Sequence, residues 1–220
     1  FASPHGSWLN STFTTLYVTA EYGNFIYKID ITNPTFPDIE KVVIKPGQLP
    51  NTITGTLDPH EIMLSPDESK YFITCEASNE VRVMDAQTDT LIKVIPVGVY
   101  PVEMAMSKTH PYLFVTCSED PCSEPLCKGS VYVLDYNTLE VKTVLQSGLF
   151  QPHGIAIDDD LGYAMVASRN ITPDGPAPHH SSDCGGRNGY MKFIDMNTLT
   201  FITPYRPEVS ADPYSVAAKQ

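Results

Sequence analysis

Short apolar segments separated by polar turns run along the whole chain. One set of apolar segments recurs at 16–19, 71–74, 113–116 and 164–167, and the first three are rich in β-branched and aromatic residues and end in threonine. A second set ends each time in an aspartate and recurs at 26–30, 81–85, 131–135 and 191–195. Segments of four or five such residues are typical of β-strands. The pattern therefore predicts an all-β chain of short strands, and the 19 prolines and 13 glycines agree with many turns.

A proline-containing signature marks the start of each repeat of these segments. It reads Pro4-His5-Gly6, Pro59-His60-Glu61, Pro101-Val102-Glu103, Pro152-His153-Gly154 and Pro213-Tyr214-Ser215. The shortest interval, 42 residues, matches one four-stranded propeller blade, and the longer intervals contain loop insertions. We therefore expect blades over 1–58, 59–100, 101–151 and 152–212, followed by the first strand of another blade over 213–220.

The segments 71–74, 81–85 and 91–101 resemble the YVTN-family repeat of YncE-like proteins. The resemblance covers nearly the whole chain and implies a β-propeller of four-stranded antiparallel blades. Propellers of this family usually have about seven blades. We therefore expect the four blades and one strand seen here to be part of a larger ring.

Composition and charge narrow the classes of partner. Hydrophobic residues make up 42% of the chain and charged residues 18%, as in an ordinary globular protein. The net charge of −12 disfavours nucleic acid as a partner because phosphates would be repelled. Since no apolar run approaches the length of a membrane span, we expect no membrane insertion. The expected partner is another protein or the rest of the propeller chain.

The chain contains five cysteines and no CxxC motif. Cys122 and Cys127 lie in a loop rich in proline, serine and glutamate, and a disulfide there, or one that reaches Cys184, would suit an oxidising compartment. The odd number leaves at least one thiol, which we place in a buried strand. These cysteines favour a periplasmic, cell-surface or secreted location.

Propeller geometry places the proline signature at one mouth of the central channel. His5, His60 and His153 occupy the same position of three blades, and Val102 and Tyr214 occupy it in the other two units. The two long connections 117–129 and 168–189 return to this face, and the second contains His179, His180 and Arg187. Long loops on one rim are where propellers usually place function. His110 falls in a turn of the opposite face, and we exclude it.

Two interpretations of the histidines remain open. In the first, His5, His60, His153, His179 and His180 bind a transition metal such as copper or zinc, which neutral imidazole suits. In the second, the imidazoles are structural or line a ligand site together with Tyr214 and Arg187. No cofactor other than such a metal is indicated.

No catalytic set stands out, because the chain shows no Ser-His-Asp order, glycine-rich phosphate loop or paired catalytic carboxylates. The sequence therefore predicts a binding or scaffold module of an envelope or surface assembly, and we assign no catalytic residue. The alternative is a metal-dependent redox or hydrolytic protein that uses a histidine-lined channel mouth.

Overall fold

A computed structural model describes residues 2–125, 127–169, 188–211 and 213–218, and the ordered elements of these residues are all strands. The strands are β1 (Pro4–Leu9), β2 (Thr15–Ala20), β3 (Phe25–Asp30), β4 (Asp38–Val43), β5 (Pro59–Leu64), β6 (Lys70–Cys75), β7 (Glu80–Asp85), β8 (Leu91–Pro96), β9 (Pro101–Met106), β10 (Tyr112–Pro121), β11 (Lys128–Asp135), β12 (Glu140–Leu145), β13 (Pro152–Asp158), β14 (Tyr163–Ser168), β15 (Asn188–Asp195), β16 (Thr200–Phe201) and β17 (Glu208–Ala211).

Consecutive strands pair antiparallel to form four sheets, and each sheet corresponds to one blade. The orders are β1-β2-β3-β4, β5-β6-β7-β8, β9-β10-β11-β12 and β13-β14-β15-β16, with β17 also paired to β15. The predicted four-stranded antiparallel blades are confirmed. Residues 213–218, the described part of the strand expected over 213–220, form no ladder with a described strand.

Burial falls from the first strands of a blade to the last. In β6 (Lys70–Cys75) every residue after the first is buried, whereas the outer strand β8 (Leu91–Pro96) has one buried residue. Strands covered on both faces need apolar residues at successive positions, and an outer strand does not. This is why the inner segments are conspicuous in the sequence and the outer ones are not.

The recurring aspartate at the turn between the third and fourth strands has a structural role. The Asp85 carboxylate accepts hydrogen bonds from the amides of Gln87 and Thr88 and from the Thr88 hydroxyl, at 2.8–3.0 Å. These bonds lower the pKa of Asp85. Asp30, Asp135 and Asp195 bond the following turns in the same way.

The residue before each of the first four signature prolines has a left-handed backbone. The φ angles are 38° at Ser3, 51° at Asp58, 60° at Tyr100 and 44° at Gln151. A residue that precedes proline normally adopts an extended conformation, and a bulky side chain at positive φ is strained. Each blade therefore begins with the same sharp reversal of the chain.

The chain divides into two compact units, residues 1–102 and 103–220. The core of the first unit is built around Tyr71, Ile62 and Ile73, all fully buried. The core of the second unit is built around Phe114, Val131 and further aliphatic side chains of β10 to β15.

The β10–β11 hairpin is longer than its counterparts in the first unit and is closed by a disulfide. Cys122 and Cys127 are bonded, with their Cα atoms 5.6 Å apart. The predicted disulfide is thus present, between two of the three candidates, and Cys184 lies outside the described residues. Cys75 and Cys117 remain thiols and are fully buried.

Replacing both Cys122 and Cys127 with serine is expected to lower the free energy of unfolding by about 2 kcal/mol, because a short closed loop restricts the unfolded chain. Urea unfolding of the oxidised protein and the variant measures this difference. Ser123→Ala, in the same loop, is the control and should change stability little. Equal stability of the double variant and the oxidised protein would show that the disulfide does not constrain the chain.

Candidate functional site

The register of the sheets defines one end of each blade, which we call the mouth end. At this end Pro4 pairs with Ala20, and Phe25 pairs with Val43. The same relation holds where Pro59 pairs with Cys75 and Glu80 with Pro96. In the first unit the connections 21–24, 44–58, 76–79 and 97–100 therefore all emerge at the mouth end, beside the proline signatures.

Two of the predicted histidines are in contact at the mouth end of the first unit. The ring centroids of His5 and His60 lie 3.9 Å apart, and His5 Nδ1 lies 3.3 Å from the His60 carbonyl oxygen. That carbonyl also accepts a hydrogen bond of 2.8 Å from the Thr19 hydroxyl. His60 is fully buried, whereas His5 is half-buried.

The Glu76 carboxylate lies beneath the surface next to His60. Its Oε1 atom is 3.3 Å from His60 Nε2, and its side chain is 6% exposed. Burial raises the pKa of Glu76 to about 8, although a hydrogen bond from Tyr100 opposes that rise. Glu76 therefore retains its proton at a pH where an exposed glutamate is ionised.

Two tyrosines of the mouth-end connections interact with Glu76 and with neighbouring carboxylates. Tyr22 is 46% exposed, and the adjacent Glu21 carboxylate is the main cause of its raised pKa, with smaller effects from Glu76 and Asp58. Burial and then Glu76 raise the pKa of Tyr100, and Glu21 and Tyr22 add to this effect. These mutual effects place the aromatic rings and the acids in one neighbourhood.

The long connection 44–58 is held in place by Asn24, a buried residue of the neighbouring β2–β3 turn. The Asn24 amide group donates to Gln48 Oε1 at 3.0 Å and to the Leu49 carbonyl at 3.1 Å, and its oxygen accepts from the Asn51 amide at 2.9 Å. Arg82 fixes the start of the connection by donating to the Ile44 carbonyl at 2.7 Å. The connection is therefore pre-shaped.

This fixed connection carries large apolar side chains into solvent. Leu49 is 83% exposed and Ile53 is 65% exposed. Together with exposed side chains of the other mouth-end connections they form a surface that we call the unit 1 rim, composed of Tyr22, Leu49, Ile53, Val99 and Tyr100. Grouped exposed apolar side chains on a folded protein are typical of interaction sites.

Replacing Asn24 with alanine is expected to destabilise the first unit by about 1–3 kcal/mol, because buried partners of the amide lose their hydrogen bonds. It should also increase amide hydrogen exchange throughout 44–58, and hydrogen-exchange mass spectrometry measures this. Asn33→Ala removes an exposed amide that accepts one bond from Thr35 and is the matched control. Unchanged exchange in 44–58 of Asn24→Ala would show that the connection is held by other contacts.

The second unit repeats the inner arrangement with different side chains. His153 is buried, and its ring centroid lies 3.8 Å from that of Tyr214. The Thr116 hydroxyl donates to the His153 carbonyl at 2.7 Å, as Thr19 does to His60 in the first unit. His153 Nδ1 is 3.8 Å from the Glu103 carboxylate, whose pKa is raised by burial.

Polar side chains connect the disulfide-closed hairpin to the start of β13. Glu119 accepts a hydrogen bond of 2.7 Å from Gln151 and forms an ion pair with Lys128. Within the hairpin Ser130 donates to Asp120 at 2.8 Å. These contacts hold the hairpin against the mouth-end backbone of the fourth blade.

The structure brings together some of the predicted site residues. It places His5 against His60 in the first unit and His153 against Tyr214 in the second. His179, His180 and Arg187 lie outside the described residues. Within the described ranges, no three His, Cys, Asp or Glu side chains are arranged to hold a metal ion, and the predicted metal site stays a prediction.

The unit 1 rim was not predicted from the sequence. Its connections are short apart from 44–58, and they contain no histidine or cysteine to attract attention. The order of the strands could have indicated it. Tyr22 follows the second strand of its blade and Tyr100 precedes a signature proline, so both lie at the same end of the blades as the signature histidines.

Comparison with known proteins gives a curated relative and several structural ones. No protein-family model matches the chain. Antigen Lp49 of Leptospira interrogans serogroup Icterohaemorrhagiae serovar copenhageni is 28% identical over 126 residues, which cover 54% of this chain and 27% of the antigen. The matched region thus spans about a quarter of the length of that relative.

Three solved structures share the fold at low sequence identity. Kuenenia stuttgartiensis hydrazine synthase matches with a TM-score of 0.71 and 17% identity, over 95% of this chain and 50% of its own. A nidogen/laminin complex matches with a TM-score of 0.65 and 12% identity, over 98% and 68%. A protein titled as a 6-phosphogluconolactonase from Bacteroides uniformis matches with a TM-score of 0.65 and 12% identity, over 95% and 55%.

These likenesses and the four antiparallel sheets show that the chain has the β-propeller fold, as the repeat predicted. Among the described residues, no helix is long and apolar enough to cross a membrane.

Proposed function

We propose that this chain is a YVTN-type β-propeller module that binds a protein partner in an extracytoplasmic assembly. The observation that carries the proposal is the unit 1 rim, where pre-shaped connections expose Tyr22, Leu49 and Ile53 at the mouth end. A rigid apolar surface loses little conformational entropy when a partner covers it.

The known proteins with this fold are compatible with a binding role but do not specify it. One neighbour is by its title a complex of nidogen and laminin, and the curated relative is an antigen. Because propellers host many unrelated activities, the role must come from the surface of this chain.

The disulfide supports the proposed location. Cys122 and Cys127 are bonded at the tip of a solvent-facing hairpin, and such bonds persist in periplasmic, cell-surface or secreted proteins and rarely in the cytosol. We therefore place the module on the oxidising side of a membrane.

A metal-dependent redox or hydrolytic protein is the second candidate, because His5 and His60 are in contact beside the Glu76 carboxylate. Elemental analysis of the native protein tests it. Transition metal at one equivalent per chain that is lost in His60→Ala would favour this candidate over the binding module.

The binding proposal is tested by immobilising the oxidised chain and incubating it with an extracellular or envelope fraction at physiological salt. An unrelated propeller of similar net charge is immobilised in parallel as the control. We expect the immobilised chain to retain a defined protein in a saturable way. Free chain should compete for that protein with a dissociation constant in the micromolar range or below. Equal retention on the control propeller would contradict the proposal.

A further inference from the structure

The unit 1 rim combines apolar side chains with an excess of negative charge. The four mouth-end connections of the first unit contain three acidic residues, Glu21, Asp58 and Glu76, and one basic residue, Lys45. Because burial keeps Glu76 protonated near neutral pH, the negative charge of the rim comes from the other two acids. Tyr100 is hydrogen-bonded to the Glu76 carboxyl group, and Glu21 is the sequence neighbour of Tyr22 and raises its pKa. Aromatic faces next to carboxylates attract a Lys or Arg side chain through ring and charge together.

The apolar part of the rim lies on the adjacent connection. Leu49 and Ile53 project from 44–58, which Asn24 holds against the turn that carries Tyr22. A ligand that covers both parts must therefore combine a cationic group with apolar groups.

The conformation of Tyr100 is an independent indication. Its φ of 60° places a bulky side chain in the left-handed region directly before proline, and the same position is filled by Ser3, Asp58 and Gln151 in the other blades. Residues such as Asp tolerate this conformation better than Tyr. Strain of this kind is commonly found where a side chain contacts a ligand.

We propose that the unit 1 rim binds an extended peptide segment of a partner protein in which a Lys or Arg is flanked by aliphatic residues. The basic side chain lies on Tyr22 and Tyr100 within reach of Glu21, and the aliphatic side chains pack on Leu49 and Ile53. This inference rests on the proposed binding function and specifies its surface and its ligand.

The charge of the protein decides between this occupant and the others. A second copy of the chain would bring the same acidic rim and a net charge of −12 against the first, and like charges facing each other are unfavourable. An acidic segment is disfavoured for the same reason. A basic, apolar peptide is complementary in both respects.

The test is an array of peptides of about twelve residues with Lys or Arg between Leu or Val, next to the same peptides with Glu in place of the basic residue. The best binder is then titrated in solution by fluorescence anisotropy. We expect Tyr22→Ala and Leu49→Ser each to weaken binding by about 10-fold or more, as for central interface residues. Raising NaCl from about 0.05 to about 0.5 M should weaken binding further.

Phe36→Ser is the matched control, because Phe36 is 79% exposed in the same unit but lies in the β3–β4 turn, away from the mouth end. It should leave peptide affinity unchanged. Equal binding of Glu and Lys peptides, or wild-type affinity in Tyr22→Ala and Leu49→Ser, would overturn the inference. Self-association in sedimentation that Leu49→Ser abolishes would overturn it in favour of a second copy.

The two proposals fail in different ways. If the immobilised chain retains a defined protein and rim variants retain it equally, the binding function stands and the rim inference is wrong. If neither a protein nor a basic peptide is bound, both are wrong.

Discussion

Replacing Gly154 with alanine is expected to be among the most damaging single substitutions in the second unit, with a loss of about 3 kcal/mol in the free energy of unfolding. A Cβ atom at this position would lie 2.6 Å from Ser215 Cα and 2.7 Å from the Tyr214 carbonyl oxygen. Both are backbone atoms, so no side chain can rotate away. Overpacking against rigid neighbours costs about 1–3 kcal/mol or more.

Gly6 occupies the equivalent position in the first unit and should respond in the same way. Its Cβ atom would lie 2.7 Å from Glu61 Cα. The third residue of the proline signature is thus glycine where the backbone of the next signature passes closely, which gives the Pro-His-Gly sequence a structural reason.

Thermal and urea unfolding of Gly154→Ala and Gly6→Ala measures the effect, with Gly47→Ala as the control. Gly47 has a φ of 78° and no neighbouring atom within 4 Å of the point that a Cβ atom would occupy, so its variant bears backbone strain of about 1 kcal/mol without a clash. If all three variants lose the same free energy, the backbone of the next signature does not approach Gly6 and Gly154 as closely as these distances indicate.

Replacing Glu76 with glutamine is expected to remove a pH dependence of stability. Burial raises the pKa of Glu76 from 4.5 to about 8, so the folded state holds a proton that the unfolded state releases. The contribution of the Glu76 proton to the free energy of unfolding is fully present below about pH 4.5 and is lost as the pH rises to about 8. The loss approaches about 1.4 kcal/mol per pH unit inside that window.

Urea unfolding of wild type and Glu76→Gln at several pH values between about 5 and 8 measures this contribution. Glutamine keeps the shape of the protonated carboxyl group next to His60 Nε2, 3.3 Å away in the wild type, and has no proton to lose. The wild type should therefore lose more stability than the variant as the pH rises. Glu68→Gln, in a turn away from the mouth end, is the control and should follow the wild type. Parallel profiles of wild type and Glu76→Gln would show that Glu76 titrates normally.

The blades were predictable from sequence because their inner strands are covered on both faces. Strands such as β6 and β7 are buried at nearly every position, which requires continuous apolar segments. The outer strands β4 (Asp38–Val43) and β12 (Glu140–Leu145) were not identified, because most of their residues are exposed and leave little pattern. Residues 213–218 are not in a strand, and the further blade expected to begin at 213 stays a prediction.

The candidate site was predictable only in part. The repeat placed His5 and His60 at equivalent positions, and the structure puts them in contact. The repeat could not reveal that Glu76, the residue after β6, turns inward to His60, because this contact depends on the packing of two connections. The exposure of Leu49 likewise depends on the hydrogen bonds of Asn24, a residue 25 positions away in the chain.

The central claim, that the mouth end of the first unit is the binding surface, is tested most directly by hydrogen-exchange mass spectrometry with and without a saturating basic-apolar peptide. We predict protection of 21–24, 44–58 and 97–100, with unchanged exchange in the opposite turns 31–37 and 65–69. Protection of the opposite turns alone, or the absence of protection in all three mouth-end connections, would contradict the account.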